Sequence, residues 1–197
     1  MLHPLVTPQS YTYADYYSWP DGIRGELVAG RFYVREPGPS PRHQRVAGSL
    51  FAQIDTFFVG KPCMAFSAPF DVRLPKPGDE DGAEQDVVQP DIALICDRSK
   101  IDNRGCRGAP DWIIEVLSPS TRHRDRTLKR DLYARSGVPL YWMVSPQKRH
   151  FIVLRLGADG RYEPGRTTAA VGRHAVADYP GLVIHWDRVF ADEIAMR

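Results

Sequence analysis

The sequence predicts an α/β (α+β) domain in which a mixed central β-sheet is flanked by helices. Short apolar or β-branched runs of strand length outnumber the helical patterns along the chain. Two of these runs, 87–96 and 112–117, are almost wholly apolar, which is typical of central strands covered on both faces. Two longer segments, 41–58 and 120–137, carry the spacing and end signals of amphipathic helices.

The first part of the chain is predicted to hold a short helix, a hairpin and the first long helix. These elements are expected over 12–19 (helix), 26–28 and 31–34 (strands) and 41–58 (helix). Ser40 followed by Pro41 is a strong helix start, because serine caps an N-terminus and proline suits the first helical position. Apolar residues then recur at helical spacing and predict one buried face, namely Val46, Leu50, Ile54 and Phe57.

The remainder of the chain is predicted to consist mainly of strands around one further helix. The strands are expected over 63–68, 70–74, 87–96, 112–117, 141–144, 151–156 and 183–186, and the helix from Ser120 or Thr121 to Gly137. Pro69 interrupts the first two runs, so they form either two strands or one bent strand. The helix is expected to end at Gly137, because glycine followed by proline marks helix C-termini.

Length and composition exclude several classes of protein. The 197 residues favour a single domain over 1–197, and 43% hydrophobic with 25% charged residues exclude a disordered chain. No run of about 18 apolar residues occurs, and no basic segment precedes an apolar one, so neither a membrane span nor a signal peptide is expected. Three scattered cysteines without a CxxC pair disfavour a disulfide framework or a zinc ribbon and favour a reducing cytoplasm.

Charge is balanced overall but concentrated in two segments. The net charge is +2, yet five of the nine residues from Arg122 to Arg130 are basic and five of the eight from Asp79 to Asp86 are acidic. Within the second segment, the run Asp79-Glu80-Asp81-Gly82 does not fit a calcium loop, because its glycine falls too early and the closing glutamate is missing. We expect this run to be a solvated loop. The six histidines are dispersed, and His43 and His123, beside arginines, are expected at the surface.

Two carboxylates interrupt otherwise apolar strand runs. Asp91 and Glu115 are each the only acid in their run, and burying such a group costs several kcal/mol unless it is paired or binds a cation. If the two strands are neighbours, both carboxylates can converge on one divalent ion, and such oxygen ligands suit Mg²⁺ or Mn²⁺. The alternative is that each lies at a strand end and pairs with an arginine.

The predicted second helix carries a lysine near the edge of its buried face. At about 100° per residue, Asp125, Lys129 and Leu132 lie within roughly 60° of one another. Lys129 can therefore lean toward the sheet. The alternative, which the pattern alone favours, is an exposed Asp125–Lys129 pair worth only about 0.3–0.5 kcal/mol.

These residues lie in motifs that resemble a known nuclease family. Pro90-Asp91, the run from Glu115 to Thr121, and Arg124-Asp125-Arg126 with Lys129 resemble the Uma-type restriction endonuclease family of the PD-(D/E)XK nuclease superfamily. The resemblance extends to 24–27, 39–44 and 137–142 and covers nearly the whole chain, and the block over 110–146 is its specific part.

The resemblance implies a restriction-endonuclease-like core and a Mg²⁺ (or Mn²⁺) ion held by Asp91 and Glu115. It also implies the Val116 carbonyl as a further ligand and Glu26 as an assisting acid. The superfamily's lysine would fall at Leu117, and relatives of this type carry it on the following helix, which points to Lys129. Asp91, Glu115, Lys129 and Glu26 are thus the expected catalytic residues.

The function implied is a Mg²⁺-dependent DNA endonuclease. Expected phosphate contacts are Arg122, Arg124, Arg126 and Arg130, with Arg42 and Arg45 as weaker candidates, although a solvated helix face explains the four helix arginines equally well. DNA and a second copy of the chain are the expected partners, since cutting both strands needs two sites. The apolar 182–190 segment fits either that dimer interface or the core.

Two other functions remain open at this point. One is a non-catalytic nucleic-acid-binding or assembly protein on the same fold. The other is a hydrolase of a different phosphodiester. A binding module has no reason to bury both Asp91 and Glu115, so the burial of this pair discriminates against the first.

Overall fold

The computed structural model describes residues 10–20, 23, 25–34 and 38–191. Its helices are α1 (Tyr13–Tyr17), α2 (Pro41–Phe58), α3 (Arg122–Arg124), α4 (Arg130–Arg135) and α5 (Trp186–Val189), with a 3₁₀ turn at Arg98–Lys100 and a π-helical segment at Asp125–Lys129. Its strands are β1 (Gly25–Val28), β2 (Arg31–Val34), β3 (Met64–Ser67), β4 (Val72–Arg73), β5 (Val87–Val88), β6 (Ile92–Ile95), β7 (Ile101–Asp102), β8 (Gly105–Arg107), β9 (Trp112–Val116), β10 (Leu140–Ser145), β11 (His150–Arg155), β12 (Arg166–Ala169), β13 (Arg173–Ala175) and β14 (Val183–His185). The ends of the predicted domain, 1–9 and 192–197, and Arg24 of the family motif lie outside the described residues.

The strands form two six-stranded sheets and a separate hairpin. The central sheet has the order β12-β11-β10-β9-β6-β3, the second sheet has the order β2-β1-β5-β4-β8-β7, and β13 pairs with β14. In the central sheet β9 and β10 are parallel, and the helical stretch 122–135 connects them. The predicted mixed α+β architecture is confirmed, with two sheets instead of one. None of the described helices is long and apolar enough to cross a membrane.

Each face of the central sheet is covered. Ile92, Ile114 and Trp142 pack on one face against α2 and the C-terminal segment. On the other face, Ile113 and Tyr141 pack in a cluster that includes residues of α4 and of the second sheet. The 182–190 segment is part of the core, because Leu182, Ile184, Trp186, Val189 and Phe190 are all buried. The expectation that this segment contributes to a dimer interface is therefore wrong.

The first long helix forms as its sequence predicts. The Ser40 hydroxyl accepts a hydrogen bond from the His43 backbone N–H (3.3 Å), and Pro41 occupies the first helical position. The buried stripe ends at Phe58, since Val46, Leu50, Ile54 and Phe58 follow a strict four-residue spacing, while Phe57 is only half-buried. This stripe positions the N-terminal turn of α2, with His43, beside the central sheet.

The apolar run 87–96 is divided between the two sheets, which corrects the single predicted strand. Residues 87–88 pair in the second sheet and 92–95 in the central sheet, and the chain crosses at Gln89-Pro90. Proline cannot donate to a strand ladder, so pairing stops there. The 63–74 run crosses between the same sheets through the cis Ala68–Pro69 bond, so it is two strands. The Ala68 N–H donates to the Asp91 carbonyl (3.1 Å) and joins the two crossovers.

Four short strands were not expected from the sequence. They are β7, β8, β12 and β13, each only two to four residues long. Most of their residues are partly or fully exposed, so they lack the apolar run or strict alternation that reveals a strand. These strands form because an adjacent strand pairs with them, and not because of their own composition.

The acidic 79–86 loop is tied to the second sheet at its C-terminal end, while Glu80 and Asp81 of the run 79–82, which is expected to be solvated, are exposed. Glu84 and Asp86 are buried, and they accept hydrogen bonds from Arg107 (2.5 Å) and Arg135 (3.1 Å). Asp81 pairs with the wholly buried Arg73 (2.9 Å). The basic partners lie at other places in the sequence, so local composition does not reveal them.

Cys63 and Cys96 form a disulfide, which corrects the expectation drawn from the cysteine pattern. The two residues directly flank β3 and β6, whose Met64 and Ile95 are paired, so they face each other across neighbouring strands. Cys106 is buried and unbridged. The cysteine count therefore carries no argument for a reducing compartment.

Removal of the buried Arg73 guanidinium is expected to lower the free energy of unfolding by a measurable amount. Its two terminal nitrogens pair with Asp81 (2.9 Å) and Asp102 (2.5 Å), and it lies 5.0 Å from the centre of the Tyr13 ring. Because both acids are about half exposed and can be solvated again, Arg73→Met is expected to cost about 1–3 kcal/mol of unfolding free energy.

Urea unfolding of the purified variant measures this loss. The matched control is Arg188→Met, which removes an exposed arginine on α5. The control is expected to stay within about 0.5 kcal/mol of wild type. Equal unfolding midpoints for the two variants would contradict the role given to Arg73.

Candidate active site

Asp91 and Glu115 face each other on neighbouring strands of the central sheet. β6 and β9 are antiparallel, with Ile92 opposite Ile114 and Ala93 opposite Ile113. The next position of this register places Asp91 opposite Glu115, on the same face as Ala93 and Ile113. The two strands are neighbours, as the convergence of the two carboxylates requires, and both side chains are buried.

Two donors hold the Asp91 carboxylate. Its Oδ2 accepts a hydrogen bond from the Val116 backbone N–H (2.7 Å) and lies 3.2 Å from His43 Nε2. Burial lowers the pKa of His43, but the hydrogen bond and charge of Asp91 outweigh this effect and raise the pKa above its ordinary value. A protonated His43 is thereby favoured beside Asp91.

His43 is the site residue that sequence reasoning assigned wrongly to the surface. Its side chain is only 11% exposed and points at Asp91. The available signal was helical spacing, because His43 precedes Val46 by three residues and Leu50 by seven, so it shares their buried stripe. Its arginine neighbours, which suggested exposure, lie on other faces of the helix.

Lys129 lies between two buried carboxylates from different sheets. Its Nζ is 2.5 Å from Glu115 Oε1 and 2.8 Å from Glu26 Oε1, and Asp125 Oδ1 lies 3.9 Å away. Lys129 is 3% exposed, so the alternative of an exposed Asp125–Lys129 pair is wrong. Further donors complete the cluster. The Tyr133 hydroxyl donates to Glu115 Oε1 (2.7 Å), and the Gln89 backbone N–H donates to Glu26 Oε1 (3.0 Å).

A π-helical segment delivers Lys129 to this position. Residues Asp125–Lys129 form the π segment, and both of its end residues are buried. A π turn holds more residues than an α turn, so it shifts the register between the helix before it and the helix after it, and such turns are frequent at functional sites. α4 then ends two residues before Gly137, whose φ of +82° suits the turn that follows a helix.

Acidic groups outnumber basic groups in this buried cluster. Glu26, Glu115 and Asp125 lie around Lys129, and Asp91, with His43 beside it, lies opposite Glu115. Burial raises the pKa of Glu115, Lys129 lowers it and the other three acids raise it, and the result is a pKa of about 8. Burial also raises the pKa of Asp125. A divalent cation is the kind of group that relieves such an excess of buried carboxylates.

The donor set fits a hard divalent ion, but its side chains are engaged with one another. Carboxylates are the ligands that Mg²⁺ and Mn²⁺ prefer. Within the described part of the chain, no three His, Cys, Asp or Glu side chains are already grouped as metal ligands. Lys129 contacts both Glu26 and Glu115, so a metal that used Glu115 would require this ion-paired arrangement to adjust.

Leu117 belongs to the hydrophobic core. It is 3% exposed and packs in the cluster that also contains Leu132 and Tyr133. A lysine at this position would have to bury its charge among apolar side chains. The charge that Leu117 lacks is supplied from the helix, where Lys129 reaches Glu115.

The four arginines predicted to contact phosphates lie in three different environments. Arg122 and Arg126 are exposed and line a cavity of about 260 Å³. Arg124 lies over the Tyr33 ring, 5.6 Å from its centre. Arg130 pairs with its neighbour Asp131 (2.8 Å). Of the weaker candidates, Arg42 donates to the Pro146 carbonyl (2.9 Å) and Arg45 is exposed.

A second cavity, of about 380 Å³, adjoins the other side of the carboxylate pair. It lies between α2 and the crossover after β3, and Asp91 and His43 line it together with Gln44, Phe51 and Pro69. Asp91 is therefore reached from a surface groove, although its side chain is 6% exposed.

Comparisons with known proteins agree with this fold. A solved structure described as "a putative nuclease belonging to DUF820 from Anabaena variabilis ATCC 29413" superposes with a TM-score of 0.70. The match covers 91% of this chain and 97% of that one at 18% identity, so it is a likeness of fold. No curated protein matches the chain. The model of the Uma2 family, described as "Putative restriction endonuclease", matches residues 13–184. Because this match spans most of its length, the chain belongs to the Uma2 family.

Proposed function

We propose that the protein is a Mg²⁺- or Mn²⁺-dependent DNA endonuclease that hydrolyses phosphodiester bonds at the Asp91–Glu115 site. Membership of a restriction endonuclease family supports a nuclease role. The single observation that carries the proposal is the buried cluster of Glu26, Asp91, Glu115 and Lys129, drawn from both sheets and the π segment. Burying this many charges is costly, so the cluster has to be explained by more than folding.

In this proposal, Asp91, Glu115 and the Val116 carbonyl hold the metal ion. A metal bound there would polarise the scissile phosphate and lower the pKa of a water molecule. Val116 N–H and His43 fix the orientation of Asp91, and Tyr133 fixes that of Glu115. Ligands held in this way keep their geometry when the charge around them changes.

Lys129 supplies positive charge to the reacting phosphate. Burial lowers the pKa of this lysine, but Glu115, Glu26 and Asp125 outweigh burial and raise the pKa above its ordinary value. Lys129 is therefore protonated at neutral pH, which suits a group that stabilises negative charge and not a general base. Glu26 holds the ammonium group from the second sheet.

The alternative of a non-catalytic binding or assembly protein explains less of the structure. Such a protein needs a binding surface, and it gains nothing from a lysine and several acids that are each at most 6% exposed.

In our proposal, four arginines contact the DNA backbone, because they follow the site directly in the chain. They are Arg122, Arg124, Arg126 and Arg130.

The proposal predicts that Lys129 affects the rate of cleavage. Lys129→Met keeps the side-chain length and removes the charge, and it is expected to slow single-turnover cleavage by about 10²–10³-fold, as for other charge stabilisers. The measurement is single-turnover cleavage of a DNA substrate with Mg²⁺ or Mn²⁺. Lys76→Met, which alters an exposed lysine in the second sheet's loop, is the control. Equal rates for both variants would show that Lys129 has no catalytic role.

The proposal also predicts that Asp91 is needed for metal binding. Asp91→Asn is expected to abolish the Mn²⁺ signal in calorimetric titration while the fold is kept, because the amide oxygen can still accept from the Val116 N–H. Removing one of several neighbouring negative charges is not expected to destabilise the metal-free protein. Asp131→Asn, at an exposed position, serves as the control. Unchanged Mn²⁺ affinity in Asp91→Asn would refute the site.

Cleavage of both strands further predicts a homodimer, since each chain carries one such site. Light scattering at tens of micromolar protein is expected to give twice the mass of the chain. A monomer mass, with and without DNA, would contradict this prediction. The interface has to lie outside 182–190, whose apolar residues are in the core.

A further inference from the structure

The 260 Å³ cavity beside the active site has an unusual distribution of charge. Arg122, Arg126 and Lys148 line it, together with the hydroxyl-bearing Ser118 and Ser145. None of the described residues that line the cavity is acidic. Three positive charges therefore surround one small concave space, where low-dielectric walls strengthen their combined field.

These three cations lack the carboxylate partners that other basic residues have. Arg73, Arg107, Arg130, Arg135 and Arg155 each pair with an acid. In the described part of the chain, no salt bridge involves Arg122, Arg126 or Lys148. No acidic partner among the described residues offsets the repulsion among them, and an anion is the group that would relieve it.

The charges of the cavity also act on a neighbouring histidine. Burial lowers the pKa of His150, and Arg126 and Lys148 lower it further. Arg126 and Lys148 come from the helical stretch and from the turn between β10 and β11, so two separate elements direct positive charge toward one region.

The position of the cavity relates it to the reacting centre. Leu117 and Ser118, which follow Glu115 by two and three residues in the sequence, line the cavity. The Leu117 N–H donates to the Val144 carbonyl (2.7 Å), and Ser145, which follows Val144, also lines the cavity, so the cavity borders the end of β9 that carries Glu115.

We infer that this cavity binds a phosphate group of the DNA strand near the scissile bond, and that Arg122, Arg126 and Lys148 are its ligands. The inference rests on the proposed function and adds a defined phosphate site to it. Arginine side chains grip phosphate oxygens with two parallel hydrogen bonds, while Lys148 contributes a point charge. The phosphate belongs either to the strand interior or to a 5′ end, and the test below separates these two sources.

The test is DNA binding by the full-length chain carrying Asp91→Asn, which prevents cleavage. Arg126→Gln and Lys148→Gln are each added to it, and Arg188→Gln, on the distant α5, is the charge-matched control. Each cavity variant is expected to weaken binding about tenfold. Each is also expected to reduce the slope of log K against log salt by about one. The control is expected to change neither quantity by as much.

Two oligonucleotides of the same sequence, with a 5′-phosphate or a 5′-hydroxyl, distinguish the sources. Equal losses on both assign the cavity to an internal phosphate, and a loss confined to the 5′-phosphorylated strand assigns it to a terminal one. Cavity variants that behave like Arg188→Gln on both strands overturn the inference while DNA binding stands. Absence of DNA binding by the Asp91→Asn chain itself at low salt overturns the proposed function together with the inference.

Discussion

The buried ammonium group of Lys129 is the interaction on which the arrangement of the molecule depends. It joins Glu26 of the second sheet to Glu115 of the central sheet, and it is itself held by the π segment. Three parts of the chain that are far apart in sequence thus share one charge. Without it, two carboxylates would remain buried without a cation between them, which is among the most costly situations in a protein interior.

The same constraint explains why the site lies where the two sheets meet. The chain passes between the sheets several times, and two of these passages, after β3 and after β5, are hydrogen-bonded to each other. Asp91 lies at the end of one passage, so its carboxylate is next to polar backbone that no strand ladder uses. The Gln89 N–H of this passage donates to Glu26, and the Val116 N–H at the end of β9 donates to Asp91, so both acids have donors where they would otherwise lie in an apolar core.

Much of the buried cluster around Lys129 could be predicted, because its charged residues leave a trace in the local sequence. A lone acid in an apolar strand run, as at Asp91 and Glu115, is conspicuous because of its cost. The long helix α2 and the central strands were also foreseen, since their apolar spacing extends over many residues. Lys129 was visible only at the edge of a stripe, and the resemblance to a nuclease family decided its assignment.

What could not be predicted depends on partners distant in the sequence. Three such features result from tertiary contacts. They are the division of 87–96 between two sheets, the pairing of Glu84 and Asp86 with arginines, and the contact of His43 with Asp91. The π segment changes the spacing of the helical hydrogen bonds by one residue, and one additional residue in a turn leaves no signature in the composition. The short strands β7, β8 and β12 form by pairing at the ends of the two sheets, and β13 forms by pairing with β14.

The Cys63–Cys96 bridge closes a covalent ring around the crossing point. The ring spans a sequence separation of 33 residues and contains both passages between the sheets, the acidic loop and Asp91. Closing a loop of this length removes denatured-state entropy worth about 3–4 kcal/mol. Its topological effect is separate from this energy. Even if the hydrogen bonds between the two passages open, β3 and β6 cannot separate at their bridged ends, so Asp91, which directly precedes β6, stays close to the first passage.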